Sequence, residues 1–349
     1  MEQAKIETAK PRPRFSREIE TPHIELPPGK QIGAVLAVTR NAEGDLYILH
    51  QPNAQGLDPE LEGLDCWLAP LVRLSPEGRF IEAWGGPDAL PRVDGVSQWP
   101  AGVEGLECDG EGNLWIFGYK RGDDAVLKFS PSGELLMRIG QRGKAGDDTD
   151  TQFLDRPTSC YHDLENREVF ISDGYGNRRV IAFNSDTGEF TRMWGAYGKQ
   201  PDELSEEESY ASPVHKVARG PNGLLYVADR TRSRIQEFEL APGGAQYRRE
   251  VFVAPGTMVG GTGSCWDVGF SPDGRFIHVA DGANFRVWSI DIESLEVLGS
   301  TTVHTEHEND ENRPAYFSIV HRFFVEANGD LLLACVNRGL KRLKFEGVR

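Results

Sequence analysis

A short motif, a tight turn followed by an apolar strand, recurs at regular intervals along the chain. Glu43-Gly44-Asp45-Leu46-Tyr47-Ile48-Leu49 is followed by Glu111-Gly112-Asn113-Leu114-Trp115-Ile116-Phe117 and by Asn222-Gly223-Leu224-Leu225-Tyr226-Val227-Ala228. Two further copies are Asp273-Gly274-Arg275-Phe276-Ile277-His278-Val279 and Asn328-Gly329-Asp330-Leu331-Leu332-Leu333-Ala334. Asn166-Arg167-Glu168-Val169-Phe170-Ile171 is a degenerate copy without the glycine. Glycine supplies the positive φ that the hairpin needs, and the unbroken apolar run after it predicts a strand buried on both faces. With the degenerate copy included, the turns step by about 51 to 68 residues, a period that points to stacked supersecondary units.

Most units carry a second hairpin, as in Ser75-Pro76-Glu77-Gly78-Arg79-Phe80, Ser130-Pro131-Ser132-Gly133-Glu134-Leu135 and Ser185-Asp186-Thr187-Gly188-Glu189-Phe190. Each unit is therefore three or four antiparallel strands, and no twelve-residue amphipathic helix interrupts them. Six units predict an all-β fold, a six-bladed β-propeller. A pair of β-sandwiches is the alternative, which does not account for the period. The last unit runs out near Phe345 after three strands, so an N-terminal strand is expected to close the ring, with His23-Ile24-Glu25-Leu26 as the candidate. That divides the chain into an extension over 1–20 and one propeller domain over 21–349.

Charge and cysteine content narrow the function classes. The formal net charge of −16 disfavours nucleic-acid backbones and anionic membranes, both polyanions. No apolar run reaches the roughly 18–20 residues of a spanning helix, and Met1–Glu7 has no apolar core of a secretory leader. Cys66, Cys108, Cys160, Cys265 and Cys335 are far apart and odd in number, so no disulfide framework is expected. A cytoplasmic protein is the simplest expectation, although a mature chain whose leader has been removed would read the same way. A closed ring leaves few free edges, so a monomer is the default.

In a propeller, the first strand of every blade faces the central channel. Counting back eight residues from each turn glycine finds Leu36, Glu104, His215, Trp266 and His321, with Thr158 or Ser159 in the degenerate blade. Glu104, His215 and His321 are metal-ligand types, and they fall in alternate blades, so three side chains converge about one axis. Two imidazoles and a carboxylate suit a divalent first-row ion, Zn²⁺ foremost, with Mn, Fe, Co, Ni or Cu open. The plainer reading is two channel histidines and a glutamate paired to an arginine. Trp266 is either a plug or an aromatic wall for substrate. His50 ends a buried strand near the channel mouth and is a candidate for the surroundings of the site.

Ile171-Ser172-Asp173-Gly174-Tyr175-Gly176-Asn177-Arg178-Arg179, followed by Val227-Ala228-Asp229-Arg230-Thr231-Arg232-Ser233-Arg234, resembles the NHL-repeat propeller of the peptidyl-α-hydroxyglycine α-amidating lyases (peptidylamidoglycolate lyases). The resemblance is strongest from about Gln152 to Phe238. It implies Zn²⁺ held by three residues from alternate blades, matched at His215 and His321, with Glu104 in place of the family's third histidine. It further implies Tyr175 as a general base, its pKa lowered by a nearby cation and the metal, and Arg230 as a substrate anchor. A second family arginine is not reproduced, since His50-Gln51 stands at that place. The family's aspartate after the last ligand is Arg322 here, which leaves Arg322 as a substrate-binding or supporting candidate.

The expected function is that of a metal-dependent lyase acting on a small α-hydroxy-amide or related carbinol centre in the channel. A metal-dependent hydrolase of an ester, lactone or amide is the alternative, including a lactonase of the gluconolactonase type. So is a non-catalytic NHL propeller that binds a protein partner. The His304–His307 stretch amid acids, the acidic Leu204–Ser209 loop and the Gly260–Gly263 loop are weaker features, read as inter-blade or rim loops.

Overall fold

The computed structural model describes residues 10–52, 66–257, 262–303, 319–336 and 338–349. Their strands form six four-stranded antiparallel sheets, each a blade, and no α-helix occurs among the described residues. The innermost strands are Ala34–Arg40, Val103–Cys108, Pro157–Asp163, Val214–Arg219, Asp267–Phe270 and Val320–Val325. The apolar run after each repeated turn forms the second strand of its blade. These strands, such as Leu114–Gly118, Leu225–Asp229 and Leu331–Cys335, are buried along their whole length.

Burial from both faces follows from how the blades pack. The core is divided into six apolar clusters, and each draws on two neighbouring blades. Phe170, Trp194, Val217 and Phe238, for example, fill the wedge between the third and fourth blades. The turn glycines take positive φ, as at Gly112 (83°) and Gly329 (90°). In the degenerate blade Arg167 takes over that conformation at φ 55°, which a β-carbon disfavours by about 1 kcal/mol. Its guanidinium is held by Asp186 and Glu111.

Two expectations are corrected. The strand that closes the ring is Pro13–Glu20, not His23–Leu26. It pairs with Gly339–Val348 as the outermost strand of the sixth blade, while Glu25 forms only an isolated bridge to Arg79. The boundary drawn at residue 20 therefore cuts through a blade, and residues 13–20 belong to the propeller. The inner strands, in addition, are not regular. The register of five of the six slips by one residue near its start, between Val35 and Ala37, Val103 and Gly105, Pro157 and Ser159, Val214 and Lys216, and Val320 and Arg322, while Asp267–Phe270 pairs without a slip. The residues skipped are Leu36, Glu104, Thr158, His215 and His321. A β-bulge thus re-aims the ring position in each of these blades. It also settles the third-blade position as Thr158 rather than Ser159.

Candidate metal centre

The bulges bring Glu104, His215 and His321 together, with one ligand atom from each lying within 4.8 Å of the others, all three residues buried. His215 Nε2 is 3.1 Å and His321 Nε2 3.2 Å from Glu104 Oε1. Both imidazoles are turned by the next blade. His215 Nδ1 donates to the Trp266 carbonyl, and His321 Nδ1 donates to the Leu36 carbonyl at 2.8 Å. A carbonyl only accepts, so in each neutral ring the proton sits on Nδ1 and the Nε2 lone pair faces the cluster.

That arrangement fits a cation. Two lone pairs and a carboxylate oxygen converge in a buried space, and acceptors do not pack against one another without a positive charge between them. His215 Nε2 makes no hydrogen bond despite its closeness to Glu104. The spacing suits the same conclusion, because ligand atoms about 2.0–2.1 Å from a tetrahedral Zn²⁺ lie about 3.3 Å apart. Burial alone would raise the Glu104 pKa, but the two imidazoles beside it, His321 first and then His215, outweigh burial and hold the carboxyl well below its usual range. Burial, then the Arg322 charge, push His215 well down, toward the neutral imidazole. An ionised glutamate beside a neutral histidine is the protonation state a metal ion requires.

Tyr175 and Arg230 stand beside this cluster. The Tyr175 hydroxyl donates to Glu104 Oε1 at 3.4 Å and accepts from Arg230 Nη1 at 3.4 Å. The expectation of a lowered Tyr175 pKa is not met in this protonation state. Burial and the Glu104 charge push it up, and Arg230 only partly offsets them. The Arg230 guanidinium lies over the rings of Trp266 (4.2 Å) and Tyr175 (5.7 Å), an arrangement stabilised by cation–π attraction. Its buried Nε has no partner. Trp266 packs edge-on against both His215 and His321, and its indole nitrogen donates to the Gly263 carbonyl.

The motifs that carry the resemblance have structural reasons. Asp173 accepts from Asn177 Nδ2, Arg179 Nε and the Asp155 amide, which folds the loop presenting Tyr175. Asp229 does the same beneath Arg230 by accepting from Arg234 Nε and the Ala211 amide. The two glycines flanking Tyr175 are set by crowding. A β-carbon on Gly174 would lie 1.9 Å from the Val214 carbonyl oxygen, and one on Gly176 would lie 1.8 Å from the Asp155 carboxyl carbon.

His50 does not join the site. Its Nδ1 accepts from the Gly33 amide and its Nε2 meets the Ala69 carbonyl, so both ring nitrogens serve the backbone. Arg322 lies against Glu104 from inside the channel. Three residues of the site region escaped sequence reasoning: Tyr119, whose ring lies 6.1 Å from Tyr175, and Lys216 and Asp267, which face each other within the channel. Lys216 and Asp267 each follow a ring position by one residue, a signal present in the sequence. The His304–His307 stretch and Gly260–Gly261 lie outside the described residues.

No family model matches the chain. Peptidyl-glycine alpha-amidating monooxygenase of Mus musculus is 32% identical over 139 residues, 39% of this chain and 13% of that protein. Peptidyl-alpha-hydroxyglycine alpha-amidating lyase 2 of Drosophila melanogaster is 32% identical over 132 residues, 38% of this chain and 29% of that protein. NHL repeat-containing protein 3 of Homo sapiens is 26% identical over 222 residues, 60% of this chain and 54% of that protein. The chain is an NHL-type six-bladed propeller that resembles the amidating lyases. It matches well under two thirds of the length of each of these relatives. A streptogramin B lyase superposes with a TM-score of 0.53 at 12% identity, covering 94% of this chain and 98% of that one. The WD40 propeller of Doa1 superposes almost as well, at 0.52 and 11% identity, covering 91% and 94%. Two proteins so differently described match equally well, so these superpositions speak for the fold alone. No helix among the described residues is long and apolar enough to cross a membrane.

Proposed function

We propose that the chain is a metal-dependent lyase of the amidating type, acting on a small carbinol-bearing molecule at the channel mouth. The observation that carries this reading is the convergence of Glu104, His215 and His321 with both imidazole lone pairs facing inward. A divalent ion held there supplies Lewis acidity toward a substrate hydroxyl or carbonyl oxygen. Arg230 offers its unpartnered Nε to a substrate carbonyl or carboxylate, and the flanking rings of Trp266 and Tyr175 hold the guanidinium plane in place. Tyr175 moves the proton: as a phenolate stabilised by Arg230, 3.4 Å away, it takes the proton of the substrate's carbinol hydroxyl and returns it to the nitrogen that leaves as the C–N bond breaks and the C=O bond forms. Trp266 shields the imidazoles from solvent on one side. The same residues serve hydrolysis of an ester, lactone or amide, and substrate screening separates the two reactions.

Elemental analysis of the purified chain is the first test, run beside a His215→Ala/His321→Ala double variant. About one first-row ion per chain, lost in the variant, is expected. Tyr175→Phe is then expected to keep the ion and to lose roughly 100-fold or more in turnover of an α-hydroxy-amide. A parent chain without metal, even after incubation with divalent ions, would overturn the reading. It would favour a non-catalytic propeller, for which the human NHL repeat-containing protein, matching 60% of this chain, is the supporting likeness.

A further inference from the structure

One residue past the ring position, the inner strands of three successive blades carry Lys216, Asp267 and Arg322, and all three are buried. Arg322 Nη2 donates to the Thr158 carbonyl at 2.8 Å and Nη1 to the His215 carbonyl at 3.1 Å, which anchors the guanidinium to two other blades. From there Nη2 reaches to 3.7 Å of Glu104 Oε1, and Nη1 to 3.4 Å of Asp267 Oδ1. Asp267 accepts from the Phe323 amide at 2.9 Å and faces Lys216 Nζ at 3.6 Å. Lys216 in turn pairs with Glu107, the most exposed member of the chain. The ions alternate in sign from the candidate metal centre down the channel.

Glu104 is the one anion among the three ligand candidates, and Arg322 is a cation fixed against it. Glu104 and Arg322 are two of the positions at which the site departs from the resembled pattern, and here they lie 3.7 Å apart. A carboxylate ligand takes one unit of charge from a bound divalent ion, and a guanidinium at its back returns that unit. Resting on the metal reading above, we propose that Arg322 is a positioning residue that neutralises Glu104. An ion held by Glu104, His215 and His321 then keeps its full charge for the substrate, and Asp267 sets how much of the Arg322 charge reaches the site. The protein gives up some metal affinity for a more electrophilic ion. The substrate this favours carries an anionic or strongly polarised oxygen.

The proposal makes predictions of opposite sign at neighbouring residues. Zn²⁺ is titrated into the metal-stripped full-length chain against a chromogenic chelator, with folding checked by circular dichroism and thermal melting. Arg322→Met removes the opposing cation and is expected to bind Zn²⁺ about tenfold tighter or more, while Arg322→Lys returns to the parent affinity. Asp267→Asn keeps an acceptor for the Phe323 amide but leaves the Arg322 charge unscreened, so it is expected to bind Zn²⁺ several-fold more weakly. A purely structural role for the network would shift both variants toward weaker binding, and that result overturns the proposal. If Arg322→Met does not fold, Arg322→Gln takes its place, since it removes the charge but keeps a donor for the Thr158 and His215 carbonyls: tighter binding supports the proposal, and unchanged or weaker binding overturns it. A parent that binds no Zn²⁺ overturns the metal reading itself, a failure distinct from a parent that binds while the variants move together.

Discussion

Single atoms decide whether the site forms. The Tyr175 loop passes so close to the fourth blade that Gly174 has no room for a β-carbon beside the Val214 carbonyl. Gly174→Ala is therefore expected to cost about 2 kcal/mol of stability through overpacking, read as a lower urea midpoint, and to displace the Tyr175 hydroxyl. Metal content should fall as well, because the Val214 carbonyl that must move belongs to the residue just before His215. Glu104, His215 and His321 were legible in the sequence because each sits at a fixed distance before a turn glycine. Tyr175 and Arg230 were legible only through their motifs. The state of Tyr175 was not legible, since it depends on burial and on the Glu104 charge, which the fold alone brings to the phenol. Lys216 and Asp267 were obscure, since a charged residue in an apolar strand has no meaning until its partner is known, and Arg322 was marked only as a departure from the resembled motif.

At the scale of the strand, alternation in the inner strands is broken by the bulge, and the bulge turns Glu104, His215 and His321 toward one another. It leaves no mark in the sequence, because in the five blades that carry it the extra residue lies at the same place and the count to the turn glycine absorbs it. The closing strand was misplaced for a different reason. Pro13–Glu20 is paired along one edge and largely exposed on the other side, so it has charged residues where a central strand has none, and the shorter apolar His23–Leu26 was the more visible candidate. Phe15 of the closing strand packs edge-on against His278 of the fifth blade at 5.3 Å. Burial lowers the His278 pKa to about 4, whereas an unfolded histidine titrates near 6.5. Between those values the unfolded chain binds more protons, so stability falls as pH drops from about 6.5 to 4 and loses nothing further below that. Relative to a His278→Gln variant, the parent should lose up to about 3 kcal/mol across this window. Denaturant melts of both proteins at pH 7 and pH 4 measure the difference, and parallel behaviour would contradict the assignment.

The whole molecule is a ring whose two ends meet in one blade. Removing residues 1–20 would strip the outermost strand and leave the Gly339–Val348 edge unpaired. A fall in Tm of roughly 10 °C or more and self-association on size exclusion are expected, and a truncated chain that stays monomeric with an unchanged melt would show the ring closed without it. The propeller itself was readable because six related units can bury their strands only by packing side by side around an axis. Where the ring starts and stops was not, since that depends on one half-exposed strand. The hydrogen bond from His321 to the Leu36 carbonyl joins the last blade to the first. The candidate metal centre therefore straddles the join of the circle, and one of its imidazoles is aimed by a carbonyl from the opposite end of the chain. Ion and circle should open and close as a single event: amide protons of the first and last blades should exchange faster when a chelator is added, while those of the third blade, which contributes no ligand, report the ion least.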